Sequence, residues 1–273
     1  MTMKSNFTFI NGAYVPFEQA TLSISDLSIQ RGYAIFDFFL VKEGIAPFLS
    51  DHLDRFIRSA ALLSLDLPYT KAELSEVVRG LIAKNGLRNS SVKMILTGGL
   101  SSDDFTLPST GTSLIVINKP FELILPEWWK NGGSLISCNY QRETPEAKTI
   151  NYLRSVRWSQ RLVETRAAEI LYLDRNWVRE CSRSNIFYVK DQIVYTPKSN
   201  ILAGITRKRI LQLPGFTVQQ RNFKMKELLD ADEVFITSTT KGVLPIVKID
   251  SMVIGDGRIG ATTKAIREVI QSS

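Results

Sequence analysis

Cysteine and histidine are scarce in this chain of 273 residues. Cys138, Cys181 and the single histidine, His52, show neither the spacing of a zinc site nor that of a redox pair. Composition therefore gives little support to a zinc enzyme, to a histidine-rich metal site or to a serine hydrolase that needs a histidine base. Any catalytic function must rest on other residue types.

Long apolar runs are also missing. No run approaches the roughly 20 residues that a helix needs to cross a bilayer, and Met1 to Val15 lacks the charged-then-apolar order of a signal peptide. We therefore expect a cytoplasmic protein with no membrane partner. The hydrophobic content of 44% is that of an ordinary globular chain, long enough for one large or two smaller domains.

Basic residues outnumber acidic ones, but they form no block. The formal net charge is +7, from 34 Lys and Arg against 27 Asp and Glu, and the basic residues are spread along the chain. Without a basic block or an aromatic RNA-binding motif, the sequence predicts no nucleic-acid partner. The charge indicates solubility and attraction for small anionic molecules.

Hydrophobic periodicity predicts strands and helices in both halves of the chain. Asn11-Gly12 between two short apolar runs indicates a β-hairpin, Tyr33 to Val41 indicates a buried strand, and Leu49 to Leu65 has helical periodicity. Asn118-Lys119-Pro120 is typical of a domain connection, since proline interrupts either pattern. The predicted class is α/β (α+β), with a small N-terminal domain over residues 1–117, a linker over 118–123 and a larger C-terminal domain over 124–273.

One lysine and one acid in the second half of the chain are candidates for binding a carbonyl cofactor. Lys148 is predicted to open an amphipathic helix, in which four apolar residues share one stripe: Leu153, Val156, Val163 and Ala167. A lysine amine with a lowered pKa is nucleophilic and can form a Schiff base with an aldehyde. Glu180 ends a predicted strand hairpin and precedes small polar residues. An acid at the pyridine nitrogen of pyridoxal 5'-phosphate (PLP) keeps that nitrogen protonated, so the ring accepts electrons.

Two other segments are suited to a phosphate group. Leu202 to Thr206 opens a predicted helix, whose first backbone N–H groups are free to bind an anion. The predicted strand Val234 to Ile236 runs into the hydroxyl residues Thr237 to Thr240. Taken alone, a capped helix start or a polar turn explains each segment better than a phosphate site does.

Several motifs occur together in an order that resembles the class IV (fold type IV) PLP-dependent enzymes. This family includes branched-chain aminotransferases, D-amino acid aminotransferases and aminodeoxychorismate lyases, and the resemblance covers nearly the whole chain. The matching motifs are Arg31-Gly32-Tyr33-x-x-Phe36-Asp37, His52-x-x-Arg55, Lys148-x-x-Asn151-Tyr152, Glu180-x-x-x-Ser184-Asn185, Gly204-Ile205-Thr206-Arg207, Ala231-Asp232-Glu233-Val234-Phe235 and Ile254-Gly255-Asp256-Gly257.

The resemblance implies two α/β domains with PLP between them, and a homodimer whose partner completes the substrate pocket. It implies that Lys148 is the Schiff-base lysine and proton shuttle and that Glu180 pairs with the pyridine nitrogen. It further implies that Tyr152 contacts the ring, while Ser184 and Asn185 support the loop below it. The implied phosphate contacts are Arg55, Ile205, Thr206, Ser238 and Thr239.

The residues on the substrate side depart from the family pattern. Asp37 stands where relatives more usually have glutamate, and Lys93 stands where branched-chain enzymes have arginine. Gly98-Gly99 falls where the D-amino acid branch has an arginine that binds the substrate carboxylate. Lys241-Gly242 occupies a place where relatives often have an acid.

We predict apolar walls from Tyr33 and Phe36, with the substrate carboxylate held by the Thr239-Thr240 turn and by Lys93. The predicted reaction is transamination between a branched-chain or other apolar amino acid and a 2-oxo acid. An aminodeoxychorismate lyase that releases pyruvate, a D-amino acid aminotransferase and a catalytically silent binding protein of the same fold remain alternatives.

Overall fold

The computed structural model describes residues 6–108, 111–122 and 127–272. The chain divides into two compact units. The N-terminal unit comprises Met1–Leu123 and Ala147–Asn151, and the C-terminal unit comprises Ile124–Glu146 and Tyr152–Ser273. Residues 1–5, the first part of the segment that lacks signal-peptide character, and residue 123, the end of the predicted linker, lie outside the described residues.

An antiparallel sheet with helices on one face forms the N-terminal unit. Its strand order is β2-β1-β5-β4-β3, and alternate residues of β3, including Ile35 and Phe39, are buried against the helices. The elements are β1 (Phe7–Ile10), β2 (Ala13–Pro16), α1 (Leu27–Gln30), β3 (Ala34–Val41), α2 (Leu49–Leu62), α3 (Lys71–Asn85), β4 (Ser90–Thr97) and β5 (Leu114–Pro120).

Local sequence signals explain the turns of this unit. Asn11 and Gly12 both have positive φ, 46° and 93°, as a two-residue hairpin loop requires. At the start of α3, the Thr70 hydroxyl accepts from the Glu73 N–H while the Glu73 carboxylate accepts from the Thr70 N–H. Gly86 ends the helix in the left-handed region. The predicted hairpin and the helical periodicity of α2 are both confirmed.

A larger mixed sheet forms the C-terminal unit, in the order β11-β10-β9-β12-β13-β6-β7-β8, with β14 beside β13. Apolar residues are buried on both of its faces, so β9 is a continuous apolar run. The strands are β6 (Gly133–Asn139), β7 (Glu169–Asp174), β8 (Trp177–Cys181), β9 (Asn185–Lys190), β10 (Ile193–Thr196), β11 (Val218–Gln220), β12 (Glu233–Ser238), β13 (Gly242–Ile249) and β14 (Met252–Val253).

The helices of this unit are mostly short, and only the last is long. They are α4 (Trp128–Asn131), α5 (Leu153–Arg157), α6 (Ser159–Thr165), α7 (Ile205–Leu211), α8 (Met225–Leu229) and α9 (Ala261–Ser272). Ile266 and Ile270 of α9 pack with Ile210 of α7 into one core cluster. No helix in the described part of the chain is both long and apolar enough to span a bilayer.

The structure differs from the predicted domain division in two places. Asn118 to Pro120 continue β5, paired with Val92 to Ser90 of β4. Proline is tolerated there because β1 pairs with β5 only as far as Ile117, so the missing N–H interrupts no ladder. The segment Ala147–Asn151, inside the predicted C-terminal domain, groups with the N-terminal unit.

The prediction that Lys148 opens an amphipathic helix is wrong. The Lys148 carbonyl accepts from the Phe36 N–H at 2.8 Å, and the Ile150 N–H donates to the Ala34 carbonyl at 3.1 Å. The Lys148 carbonyl, which a helix would need as an acceptor, is thus paired with β3 instead. The predicted stripe is not buried, since 68–77% of the surface of Leu153, Val156 and Val163 is exposed. Ala167 is buried, but it lies beyond the end of α6.

Candidate active site

Lys148 lies beside an aromatic ring of β3 in the N-terminal unit. Its Nζ is 4.4 Å from the centroid of the Phe36 ring, and the Nζ of Lys93 is 5.1 Å from the same centroid. The Lys148 N–H donates to Ser59 Oγ of α2 at 3.1 Å. Because β3 and α2 both hold this segment, Lys148 is half-buried at a fixed place. Three residues predicted for the site therefore come together.

Register explains why Lys93 reaches this ring. Lys93 of β4 pairs with Phe38 of β3, so it lies diagonally across from Phe36 on the same face of the sheet. Partial burial lowers the pKa of Lys93, and the neighbouring Lys119 ammonium lowers that pKa further. The result is a cation whose proton is held less tightly than usual beside an apolar wall.

Arg55 is held by a buried carboxylate on the opposite face of β3. Asp37 accepts from Nε and Nη2 of Arg55, each at 2.8 Å, and His52 Nδ1 lies 2.8 Å from the same carboxylate. Asp37 is fully buried, and its Oδ1 also accepts from the Phe38 N–H. These contacts set the plane of the guanidinium. Asp37, noted in the sequence only as a departure from glutamate, is thus a structural partner of Arg55.

Tyr33 is half-buried and packs against the core of its unit. Its hydroxyl donates to the Leu63 carbonyl at 2.6 Å, and the ring packs against the buried cluster beneath the sheet. Phe36 and Tyr33 therefore do not share a wall, because alternation along the strand sends Phe36 to the other face. The prediction that both line the substrate site is not supported for Tyr33.

Glu180, in the C-terminal unit, is buried and ion-paired. Its Oε1 accepts from Nε and Nη2 of Arg142, at 2.9 Å and 2.8 Å, and its Oε2 accepts from the Leu202 N–H at 3.0 Å. Sequence reasoning missed Arg142, which stands six residues before Lys148 in no recognisable pattern. This partner keeps a buried carboxylate compensated, as burial of charge requires.

Tyr152 lies among the same charged groups. Burial raises the pKa of its phenol most strongly, while the charges of Arg142 and Glu180 act in opposite directions on it. A phenol is protonated at neutral pH at its ordinary pKa, and the raised pKa favours that protonated form further.

Asn185 joins the start of β9 to the start of α7. Its Oδ1 accepts from the Gly204 N–H at 3.1 Å, and its Nδ2 donates to the Leu202 carbonyl at 2.8 Å. A Cβ at Gly204 would lie 2.1 Å from that Oδ1, so only glycine fits. Ile205 and Thr206 follow as the first residues of α7, where backbone N–H groups have no partner within the helix.

The predicted hydroxyl turn follows β12. Ser238 Oγ accepts from the Lys241 N–H at 3.2 Å, and the Trp129 indole donates to the Lys241 carbonyl at 3.1 Å. Thr239 and Thr240 lie half-buried between these anchors. Lys241 Nζ contacts Glu169 at 2.5 Å, a residue that sequence reasoning also missed, and Glu169 accepts from Ser184 Oγ at 2.7 Å.

Comparison with known proteins decides the family. The model of the family described as amino-transferase class IV matches residues 34–249. The chain belongs to this family. The resemblance seen in the motifs is therefore confirmed, and with it an α/β fold, an aminotransferase-family enzyme and PLP as its cofactor.

Relatives of this class IV aminotransferase include proteins of two specificities. A D-alanine aminotransferase of Bacillus licheniformis is 32% identical over 270 residues, covering 96% of this chain and 95% of the relative. A branched-chain amino acid aminotransferase of T.th., solved with pyridoxamine 5'-phosphate, has a TM-score of 0.89 at 29% identity and covers 99% of this chain and 94% of its own. A branched-chain aminotransferase from Thermoproteus uzoniensis, solved with norvaline, has a TM-score of 0.86 at 26% identity, with 98% and 94% covered.

The side chains present suit PLP chemically. The first turn of α7 and the turn after β12 offer backbone N–H and hydroxyl donors, which phosphate oxygens accept. Thr237 Oγ1, just before that turn, is buried with no hydrogen-bond partner in the described part of the chain. Glu180 offers a buried carboxylate and Lys148 a half-buried amine. The donor set therefore fits a phosphorylated carbonyl cofactor.

Proposed function

We propose that this class IV aminotransferase transfers an amino group between an amino acid with an uncharged, medium to large side chain and a 2-oxo acid. The observation that carries the proposal is the grouping of Lys148 and Lys93 around the Phe36 ring. Phe36 supplies an apolar wall for a side chain, Lys93 supplies a cation for a carboxylate, and Lys148 supplies the amine.

PLP, when bound, supplies a carbonyl group that reacts with amines and a ring that accepts electrons. Lys148 is the residue we assign to hold PLP covalently and to move a proton at the substrate Cα. Its attachment to β3 and α2 limits where Nζ can swing. Glu180 is assigned to the pyridine nitrogen, and the Arg142 guanidinium pairs with its Oε1. Tyr152 is assigned to donate a hydrogen bond to the ring.

The phosphate group is assigned to Arg55 and to donors of α7 and of the turn after β12. Arg55 contributes Nη1, because Asp37 occupies its Nε and Nη2. Ile205 and Thr206 contribute N–H groups from the first turn of α7, and Ser238 and Thr239 contribute from the turn after β12. Ser184 and Asn185 are assigned to support these contacts, because Asn185 bonds to Gly204 and Leu202 just before α7.

The substrate carboxylate is assigned to Lys93 and to Thr240 of the same turn, with Phe36 as the apolar wall. The loop from Gly98 to Asp104 is a poor site for a second carboxylate, because Asp103 and Asp104 are its charged residues. Branched-chain or aromatic amino acids are therefore the expected donors.

Trapping and a substrate panel test this proposal together. Borohydride reduction of the PLP-loaded protein, followed by peptide mapping, should place the adduct on Lys148, and Lys148→Ala should abolish it. Rates with L- and D-amino acids and 2-oxoglutarate or pyruvate should favour leucine, isoleucine, valine or an aromatic amino acid. An adduct on another lysine would refute the catalytic assignment. Preference for D-alanine, or pyruvate release from aminodeoxychorismate without transamination, would refute the substrate assignment.

We also propose that the protein is a cytoplasmic homodimer. Leu153, Val156 and Val163 expose 68–77% of their surface on α5 and α6, and a second copy would bury such residues. The free thiols Cys138 and Cys181 are consistent with a reducing compartment. Light scattering should give twice the chain mass, and Val156→Asp should shift the protein toward the monomer. A wild-type monomer at micromolar concentration would contradict the dimer, and cell fractionation tests the location.

A further inference from the structure

Glu169, the first residue of β7, is a buried carboxylate that binds two separate loops of the C-terminal unit. Its side chain has no exposed surface. Oε1 accepts from Ser184 Oγ at 2.7 Å and from Lys241 Nζ at 2.5 Å. Oε2 accepts from Ser182 Oγ at 3.1 Å and from the Arg183 N–H at 2.8 Å. All four donors come from the turn before β9 or from the turn before β13.

The charge of Glu169 is compensated mainly by Lys241. Burial by itself would raise the pKa of Glu169, but the Lys241 and Arg183 charges and the hydrogen bonds from Lys241 and Ser184 outweigh it and lower the pKa. The Lys241 side chain is 12% exposed, whereas Arg183 lies 4.0 Å away and is 57% exposed. Lys241 is thus the desolvated partner, and desolvated pairs depend strongly on geometry.

Three contacts fix Lys241, so the position of its side chain affects the Ser238–Lys241 turn. Besides the ion pair, its N–H donates to Ser238 Oγ and its carbonyl accepts from the Trp129 indole. Displacing the Lys241 side chain would therefore disturb Ser238 and the two threonines after it. On the other side of Glu169, Ser184 precedes Asn185, which bonds to Gly204 at the start of α7.

We propose that Glu169 and Lys241 are positioning residues that hold the Ser238–Lys241 turn and the start of α7 in the arrangement that binds the phosphate group of PLP. One buried charge thereby organises both phosphate-binding segments of the C-terminal unit. The inference rests on the proposed function, which assigns phosphate to these segments. Neither residue touches the reacting atoms, so the consequence is a preference for PLP over pyridoxal, which lacks the phosphate.

Binding titrations separate this role from general stability. Full-length protein freed of cofactor is titrated with PLP and with pyridoxal, and binding is followed by absorbance. The Kd for pyridoxal divided by the Kd for PLP measures the contribution of the phosphate. Glu169→Gln and Lys241→Met should each reduce this ratio about tenfold or more, the worth of a charge-assisted hydrogen bond. Pyridoxal binding should change little. Lys241→Arg should restore most of the ratio, since it keeps the cation.

Further variants test the coupling between the two residues. The double variant Glu169→Gln/Lys241→Met should lose no more than Glu169→Gln alone, because Lys241 acts through its contact with Glu169. Lys190→Met is the matched control, since Lys190 pairs with Asp232 at 2.8 Å on the exposed surface of the same unit, and its ratio should equal that of the wild type. Thermal unfolding shows which variants are folded, and if Glu169→Gln does not fold, an unchanged ratio in Lys241→Met overturns the inference.

The outcomes distinguish this inference from the proposed function. If the ratio falls in Lys241→Met but not in a folded Glu169→Gln, then Lys241 acts by its own charge and the positioning role is wrong. Unchanged ratios in both variants, with a wild type that prefers PLP, would also overturn the inference and leave the proposed function intact. A wild type that binds pyridoxal as tightly as PLP would overturn both.

Discussion

Asp37 fixes the orientation of the Arg55 guanidinium. It is fully buried, and Arg55 and His52 both use it as an acceptor. Asp37→Asn should destabilise the protein by about 3–5 kcal/mol, because it leaves the buried Arg55 charge without its partner. Urea unfolding at pH 7 measures this. Arg58→Ala, on the exposed face of the same helix, is the control, expected within about 0.5 kcal/mol of the wild type.

The Asp37 carboxylate should also make the stability of the fold depend on pH in the acidic range. Burial alone would raise the pKa of Asp37, but Arg55 and His52 outweigh it and hold the pKa well below its usual range. Since the unfolded pKa is about 3.9, this stabilisation is fully present above that pH and is lost as the pH falls toward the folded pKa. Between pH 5 and pH 3, about where the unfolded group titrates, Asp37→Asn should lose less stability than the wild type. Equal losses in both proteins would argue against the assignment.

Substitution of Glu180 should affect catalytic turnover more than the binding of PLP. Glu180→Gln should keep PLP bound, because the phosphate contacts supply most of the affinity, but should slow turnover by about ten- to a hundredfold, the worth of a charge-assisted hydrogen bond. Arg55→Ala should do the reverse and weaken PLP binding first. Cofactor titrations and steady-state rates on both variants check this. Wild-type turnover in Glu180→Gln would exclude a role for this carboxylate at the pyridine nitrogen.

At the scale of elements, the junction of β9 with α7 depends on one glycine. Gly204→Ala would place a Cβ 2.1 Å from Asn185 Oδ1, so the Asn185 amide would have to turn away and lose its two hydrogen bonds. We expect a loss of about 1–3 kcal/mol in stability and weaker PLP binding. In an Asn185→Ala background the added cost of Gly204→Ala should be smaller, because the overlapping atom is gone. Strict additivity in a denaturation cycle would contradict this contact.

For the whole molecule, bound PLP should raise the free energy of unfolding. A ligand that binds only the folded chain at 100 times its Kd adds about 2.7 kcal/mol. Lys148→Ala should show a smaller shift at the same PLP concentration, since it loses the covalent part of binding. Thermal unfolding with and without PLP measures both shifts, and an equal shift in the two proteins would argue against covalent attachment at Lys148.

Local features of the fold could be predicted because their causes lie within a few residues of one another. The Asn11-Gly12 hairpin and the capping box at Thr70 each depend on neighbours in the chain. The helix expected at Lys148 failed for the opposite reason. Hydrogen bonds to Ala34 and Phe36, more than a hundred residues earlier, decided the backbone there.

Ordered motifs in the sequence by themselves determined the family, and they led to the prediction that Lys148 and Glu180 are the residues on which the chemistry depends. Only the tertiary structure showed that Arg142 pairs with Glu180, and that Glu169 binds Lys241 across 72 residues of chain. No periodicity or spacing encodes such a pair. A buried charge takes its partner from whichever segments the fold brings beside it, and desolvation makes that partner necessary.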